Sequence, residues 1–301
     1  MKNNRIVVVG STNTDMVVKA RHLPVPGETI LGGTFLMNPG GKGANQAVAV
    51  ARLGGELTFV AKVGDDIFGR QTIEGFKSEG MDTSYIFTDR EQPSGVALIT
   101  VDDNAENCIV VAPGANGTLS KDDIDRAAQE IANAALLLVQ LEVPLETVEY
   151  AVKIAAENGV KVVLNPAPAC RLPESLFKHL YLLTPNETEA ALLTGLEVTD
   201  LESAKKAARA LHEKGVDTVI ITMGSDGALV YQDEAFEVVE AMKVKAVDTT
   251  AAGDTFNGAL AVALSEEMPM SQAVKFASQA AAISVTRMGA QASVPYRSEI
   301  N

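Results

Sequence analysis

Residues 136–168 read LLLVQLEVPLETVEYAVKIAAENGVKVVLNPAP, and this stretch decides the fold. Leu136–Leu141 is an apolar run broken only by Gln140, the pattern of a strand covered on both faces. Leu145–Asn158 reads as a helix, and Val160–Leu164 as a second short strand. Working outward, the same alternation recurs. Upstream come a buried strand at Arg5–Gly10 (RIVVVG), a small-residue helix at Gly41–Leu53, a strand at Leu57–Val63 and a helix at Phe68–Glu79. Downstream come a strand at Leu180–Thr184, helices at Glu187–Leu193 and Leu201–Lys214, a strand at Thr218–Thr222, and helices at Asp254–Ser265 and Ser271–Thr286. Strands alternating with helices predict an α/β fold, a three-layer, mainly parallel sheet flanked by helices. Ligands of such sheets bind beyond the carboxyl ends of the strands.

Two segments break the alternation. Asp15–Met37 and Gly95–Val111 pair strands without helices, the second as a hairpin turning at Asp102–Glu106. Together, over about 14–38 and 95–112, they predict a small β-sheet lid within a single domain spanning residues 1–301. A lid or a dimer contact is one role for it, an ordinary edge extension the other.

The chain has 301 residues and a net charge of −14. That charge argues against nucleic acid and anionic membranes as partners, because both select basic patches. It leaves room for an anionic small molecule held in a local cradle. Trp is absent and aromatics are 5%, so an aromatic-lined sugar groove or base-stacking platform is disfavoured. The run Ile6–Val9 is short for a signal-peptide core of roughly 7 to 15 residues. No stretch approaches the ~18 apolar residues of a membrane helix. Cys108 and Cys170 sit in no redox or metal spacing, which suits a reducing cytoplasm. His22, His179 and His212 are isolated, so a zinc site built by the protein is disfavoured.

Three common motifs are missing: the phosphate loop GxxxxGK[ST], a GxGxxG after the first strand, and a Gly-x-Ser-x-Gly elbow. The strongest signal present is Asp248-Thr-Thr-Ala-Ala-Gly-Asp254, opening a helix. Ala251, Ala252 and Gly253 let a ligand approach their amides, which at a helix N-terminus are unpaired and favour anions. Such a hole suits charge developing on a transferring phosphoryl group. Asp254 beside it is expected to be ionised and able to take a proton from an attacking hydroxyl; simple capping of the helix is the alternative. The second signal is Asn38-Pro-Gly-Gly-Lys-Gly-Ala-Asn45. Gly40, Gly41 and Gly43 permit close approach while Lys42 and Asn45 supply donors; a plain glycine turn competes. Asn13 and Asp15 either hold a diol or make an Asx turn. Glu142 stands at a strand's carboxyl edge, either as a ligand contact or simply solvated. Asn186 and Glu189 either orient a hydrated Mg²⁺ or cap a helix. Thr222–Gly227 either wraps a nucleotide or is a tight turn between strands.

Taken together, these residues resemble the ribokinase family of sugar kinases over essentially the whole chain. Gly40-Gly-Lys-Gly-Ala-Asn45 and Asp248–Asp254 carry the resemblance, with Glu142-Val-Pro, Asn165-Pro-Ala-Pro and Thr184-Pro-Asn-Glu-Thr-Glu189. The resemblance implies ATP-dependent phosphorylation of D-ribose at O5, with deoxyribose or another sugar as the alternative acceptor. It places the pentose on Asn13, Asp15, Gly41, Lys42, Gly43, Asn45 and Glu142, with Asp254 as base and Ala251, Ala252 and Gly253 as anion hole. It places ATP against Asn186, Thr222, Gly224, Ser225, Gly227 and Gly253, and Glu189 near its Mg²⁺. It implies an activating K⁺ near Asp248, Thr250, Ser284, Arg287, Gly289 and Ser293, mostly on backbone carbonyls, and a homodimer paired through the lid sheets. Ser278 departs from the pattern, where an Asn near the adenine is expected. Outside this family, a sugar-sensing protein without catalysis is disfavoured by the intact base and hole, and a dehydrogenase by the missing dinucleotide fingerprint.

Overall fold

The computed structural model describes residues 4–104 and 106–300. The start of the N-terminal stretch, and position 105 in the turn expected at Asp102–Glu106, lie outside the described residues. The strands are β1 (Arg5–Val9), β2 (Asn13–Lys19), β3 (Thr34–Gly40), β4 (Glu56–Gly64), β5 (Ile86–Asp89), β6 (Gly95–Val101) and β7 (Asn107–Ala112). They continue as β8 (Leu136–Val139), β9 (Lys161–Leu164), β10 (Leu182–Leu183), β11 (Thr218–Thr222), β12 (Ala228–Gln232) and β13 (Ala235–Val239). The helices are α1 (Lys42–Arg52), α2 (Ile67–Ser78), α3 (Lys121–Ala132), α4 (Leu145–Glu157), α5 (Glu174–Phe177), α6 (Glu187–Thr194), α7 (Leu201–Glu213), α8 (Ala252–Ser265) and α9 (Met270–Ser284).

Nine strands form the large sheet, in the order β13-β12-β11-β10-β9-β8-β1-β4-β5. Neighbours from β11 through β5 run parallel, and β12 and β13 close one edge antiparallel. The apolar runs are continuous because both faces are covered, and successive side chains go to opposite cores. Val7, Leu137, Val162 and Val219 enter the core with α3, α4 and α7. Ile6, Leu136, Leu138, Val163 and Ile220 enter the other, with α1, α8 and α9. The expected α/β architecture is therefore the observed one.

The second sheet has four strands, in the order β3-β2-β6-β7. Two of its boundaries correct the sequence expectation. Asn13 and Asp15 do not form an Asx turn; they lie in β2, opposite Gly40 and Asn38 of β3. β3 also runs past the expected end of the lid at about residue 38, so that Pro39 and Gly40 belong to it. The chain therefore leaves the large sheet at Val9, runs out and back through the small one, and re-enters as α1. No described helix is long and apolar enough to cross a membrane.

Candidate active site

The site forms where the first turns of α1 and α8 meet beyond the carboxyl ends of β1, β8, β9 and β10. Gly41 makes the turn into α1 with φ of 90°, a left-handed conformation that glycine adopts without strain. A Cβ there would lie 2.7 Å from the Asn13 amide nitrogen, so glycine is also what lets the two sheets meet. α8 starts at Ala252 with Ala251 as its N-cap, at φ 57°. Asp254 is thus inside the first turn and does not cap the helix. Its carboxylate turns inward and is buried.

Two amides of α1 hold that carboxylate. Asn45 Nδ2 donates to Asp254 Oδ2 at 2.9 Å, and Gln46 Nε2 donates to Oδ1 at 3.0 Å. Burial is the largest influence and pushes Asp254 above the ordinary carboxylate range, against Lys42, Asn45 and Gln46, with Glu142 adding to the rise. The freely ionised group expected from sequence is therefore one whose charge depends on its donors. For Lys42, burial alone would lower the pKa, but Asp254, Glu142 and Glu189 together raise it.

Glu142 does not end a strand. β8 stops at Val139, and Glu142 lies three residues beyond it. It accepts from the Lys42 amide at 2.9 Å and from Ser11 Oγ at 2.5 Å, so it locks the start of α1 to the end of β1. Asp15 faces Glu142 and Asp254, and burial together with those two charges pushes it up to about 6. Asn13 Oδ1 accepts from Asn116 Nδ2 at 2.8 Å, and Asn116 also bonds both backbone groups of Thr12. Asn13, Asp15, Gly41, Gly43, Asn45 and Glu142 thus gather around Lys42 and Asp254 from the small-sheet side.

On the other side lies a cavity of about 950 Å³. Lys42, Ala251, Ala252, Gly253 and Asp254 line its inner end, and Asn186, Glu189, Thr222, Gly224, Ser225, Gly227 and Ser278 line its length. The amides of Gly253 and Asp254 have no partner among the described residues, whereas that of Ala252 makes a long 3.3 Å bond to the Thr249 carbonyl. Asn186 and Glu189 form a reciprocal capping box at 2.8 Å each way, while burial raises the Glu189 carboxyl. The stretch after β11 forms a 3₁₀ turn, Gly224–Asp226, joining antiparallel strands. Capping and turn are thus both realised, and the same residues line the cavity.

The loop positions expected near a monovalent cation are tied together. Asp248 Oδ1 accepts from the Thr250 amide at 2.9 Å and Oδ2 from the Gly289 amide at 2.8 Å. These donors hold the Asp248 carboxyl below its ordinary range although burial opposes them. The Arg287 amide bonds the Ser284 carbonyl, and Ser293 is buried nearby in sequence on the next turn. No group of three or more His, Cys, Asp or Glu among the described residues is placed to hold a metal ion.

Sequence reasoning missed a buried polar chain behind the site: Gln46, Gln140, Asn165, Thr184 and Asn257. Part of its signal was visible, since Gln140, Asn165 and Thr184 each directly follow an apolar strand run.

The sequence matches the model of the pfkB family of carbohydrate kinases over residues 3–297. It is 47% identical over 294 residues to a ribokinase of Haemophilus influenzae, covering 98% of this chain and 96% of that one. A deoxyribokinase of Salmonella typhi is 42% identical over 297 residues, covering 98% and 97%. The structure of an Arabidopsis thaliana ribokinase complexed with ribose and ATP matches with a TM-score of 0.91 at 33% identity, covering 99% of this chain and 97% of that one.

Proposed function

The chain belongs to the pfkB family of carbohydrate kinases, and from that premise we propose that it transfers the γ-phosphoryl group of ATP to O5 of D-ribose, giving ribose 5-phosphate and ADP. The observation that carries the reading is Asp254, buried at the junction of a cavity of about 950 Å³ and the polar cluster from the small sheet. A base at that junction touches both substrates.

Ribose lies against Asn13, Asp15, Gly41, Gly43, Asn45 and Glu142, with ATP along Asn186 and the Thr222–Gly227 turn. Asp254 takes the proton from O5 as O5 attacks the γ-phosphorus in line and the bond to the β,γ-bridging oxygen breaks. The amides of Gly253 and Asp254, with Ala251 and Ala252 shaping the approach, meet the charge on the transferring oxygens. Lys42, held charged by its carboxylate neighbours, adds a positive centre at the cavity's inner end. Phosphoryl transfer asks mainly for such positioning and electrostatics. Mg²⁺ would arrive with ATP and neutralise phosphate charge; Glu189 is the acidic side chain that lines the cavity beside Asn186, which fits contact through water. The loops joined by Asp248 fit a monovalent cation such as K⁺ held mainly by carbonyls of residues 248, 250, 284, 287, 289 and 293. The small sheet closes over the sugar and pairs two copies as a homodimer. The thiols of Cys108 and Cys170 are unpaired, which fits a cytoplasmic protein.

The test is ADP release with ATP, Mg²⁺, K⁺ and D-ribose, with the product identified as the 5-phosphate. Running 2-deoxyribose and keto-sugars in parallel decides the acceptor. Catalytic efficiency higher for any of these than for ribose would overturn the assignment.

A further inference from the structure

We propose that Gln46 is a positioning residue for catalysis, orienting the Asp254 carboxylate from behind without touching substrate. Gln46 is fully buried and does not line the cavity. Its Nε2 donates both to Asp254 Oδ1 and to Asn165 Oδ1 at 3.0 Å. Its Oε1 accepts from Gln140 Nε2 at 2.6 Å. Both N–H donors and the oxygen are engaged, each with a partner of fixed polarity. Turning the amide over would set its oxygen against two oxygens, so the side chain has a single usable orientation.

The chain of bonds continues past Gln46. Asn165 Nδ2 donates to the Thr184 carbonyl at 3.2 Å, Thr184 Oγ1 to Asn257 Oδ1 at 2.6 Å, and Asn257 Nδ2 to the Gly253 carbonyl at 2.8 Å. That carbonyl belongs to the peptide whose N–H is Asp254's own. One buried network therefore fixes the proton-accepting carboxylate and one of the free amides of the first turn together. Every link from Gln46 to Gly253 is paired, which restricts each side chain to one arrangement, while Gln140 Oε1 at the far end has no partner among the described residues.

The charged groups around Asp254 are Lys42 on α1, Glu142 after β8, Asp15 on β2 and Glu189 on α6. Three of the four are carboxylates that disfavour another negative charge. Gln46 opposes them by donating to the ionised form of Asp254.

The inference rests on the kinase reading. The experiment is the pH profile of kcat/KM for ribose in the unaltered protein, Gln46→Met and Gln46→Glu, with folding followed by circular dichroism. In Gln46→Met the acidic limb should move up by about one pH unit and kcat should fall by ~10-fold or more, with KM for ATP unchanged. In Gln46→Glu, which keeps the shape and serves if the Met variant does not fold, the new carboxyl shares a proton with Asp254 and the limb should rise as well. A limb unmoved in the folded variants, even with lower kcat, would mean a structural role only and overturn the inference while leaving the kinase reading standing. An unaltered protein that phosphorylates no sugar overturns both.

Discussion

Asn45 and Asp254 stand 209 positions apart, yet Asn45 Nδ2 lies 2.9 Å from Asp254 Oδ2. The contact exists because α1 and α8 pack closely on the same face of the large sheet. A Cβ on Gly258 of α8 would come within 2.7 Å of the Gln46 carbonyl oxygen on α1. The helix that carries Asn45 and Gln46 and the helix that carries Asp254 thus pack backbone against backbone.

Replacing Asp254 by Asn tests the base directly. The amide keeps the shape of the buried carboxyl but cannot take the proton from O5. Turnover should fall by ~10²- to 10⁴-fold, with ATP still bound and the thermal midpoint close to the parent's. ADP release in a coupled assay and calorimetry measure the two. Turnover within a few-fold of the parent would assign the proton elsewhere.

Two glycines of α8 separate ligand contact from packing. A Cβ on Gly253 meets nothing within 4 Å, whereas one on Gly258 would lie 2.5 Å from the Ala49 Cβ. Gly253→Ala should therefore leave the melting temperature unchanged or higher, yet reduce kcat by ~10-fold or more, because its methyl group occupies space needed by the transferring phosphoryl group. Gly258→Ala should lower stability by about 1–3 kcal/mol through overpacking. Full activity in Gly253→Ala would remove the first-turn amides from the mechanism.

Asp15, proposed above to contact the sugar, is a carboxyl group held against stability. Its carboxyl is pushed up to about 6 from 3.8. Between those values the unfolded chain has released the proton and the folded one retains it, so this group's contribution to stability falls as pH rises through that window and stays lost above it. Asp15→Asn should accordingly be more stable than the parent at pH 7, by up to about 3 kcal/mol, with the difference fading toward pH 4. Its KM for ribose should rise. Urea denaturation at the two pH values is the measurement, and an equal difference at both would refute the account.

Legibility in the sequence follows from the range of the interactions. The large sheet was readable because strand segments such as IVVV and LLLV are apolar throughout, the pattern of a strand with both faces covered. The glycine and Ala-Ala-Gly segments were readable because small residues beside helix starts leave room for a ligand. Asn13 and Asp15 left a diol contact and an Asx turn both open, because the two residue types suggest a turn locally; pairing with Gly40 and Asn38, distant in sequence, is what makes them strand residues. The position of Glu142 past its strand, and the role of Gln46 behind Asp254, depend on partners 100 and 208 residues away. No local pattern encodes those partners.

The cation loops give a prediction independent of the base. Asp248 joins the segment before α8 to Gly289 after α9, so it braces the carbonyls proposed to face K⁺. Rates in potassium chloride should exceed those in tetramethylammonium chloride at equal ionic strength. In Asp248→Ala, the K⁺ concentration for half-activation, and for half of any K⁺-dependent rise in melting temperature, should increase by ~10-fold. Equal rates in the two salts would remove the cation from the reading.

The small sheet carries the last prediction. Register places Met37, Met16, Leu98 and Val110 in one row across all four strands. Within that row Met37 is 46%, Leu98 53% and Val110 62% exposed. Asp15 adjoins Met16 and so points to the opposite face, toward the site. An apolar row of this kind on the outer face is costly in water, which supports the proposed pairing through the lids. Leu98→Lys puts a charge at the centre of the row without touching Asp15, Asn13 or the cavity. The parent should elute as a dimer at micromolar concentration and Leu98→Lys as a monomer. Because β2 pairs with β6 along its whole length, losing the partner should loosen the strand that carries Asn13 and Asp15. KM for ribose should therefore rise several-fold while KM for ATP stays put. A parent that is monomeric by light scattering, or a monomeric variant with an unchanged ribose KM, would separate the small sheet from assembly or from sugar binding, respectively.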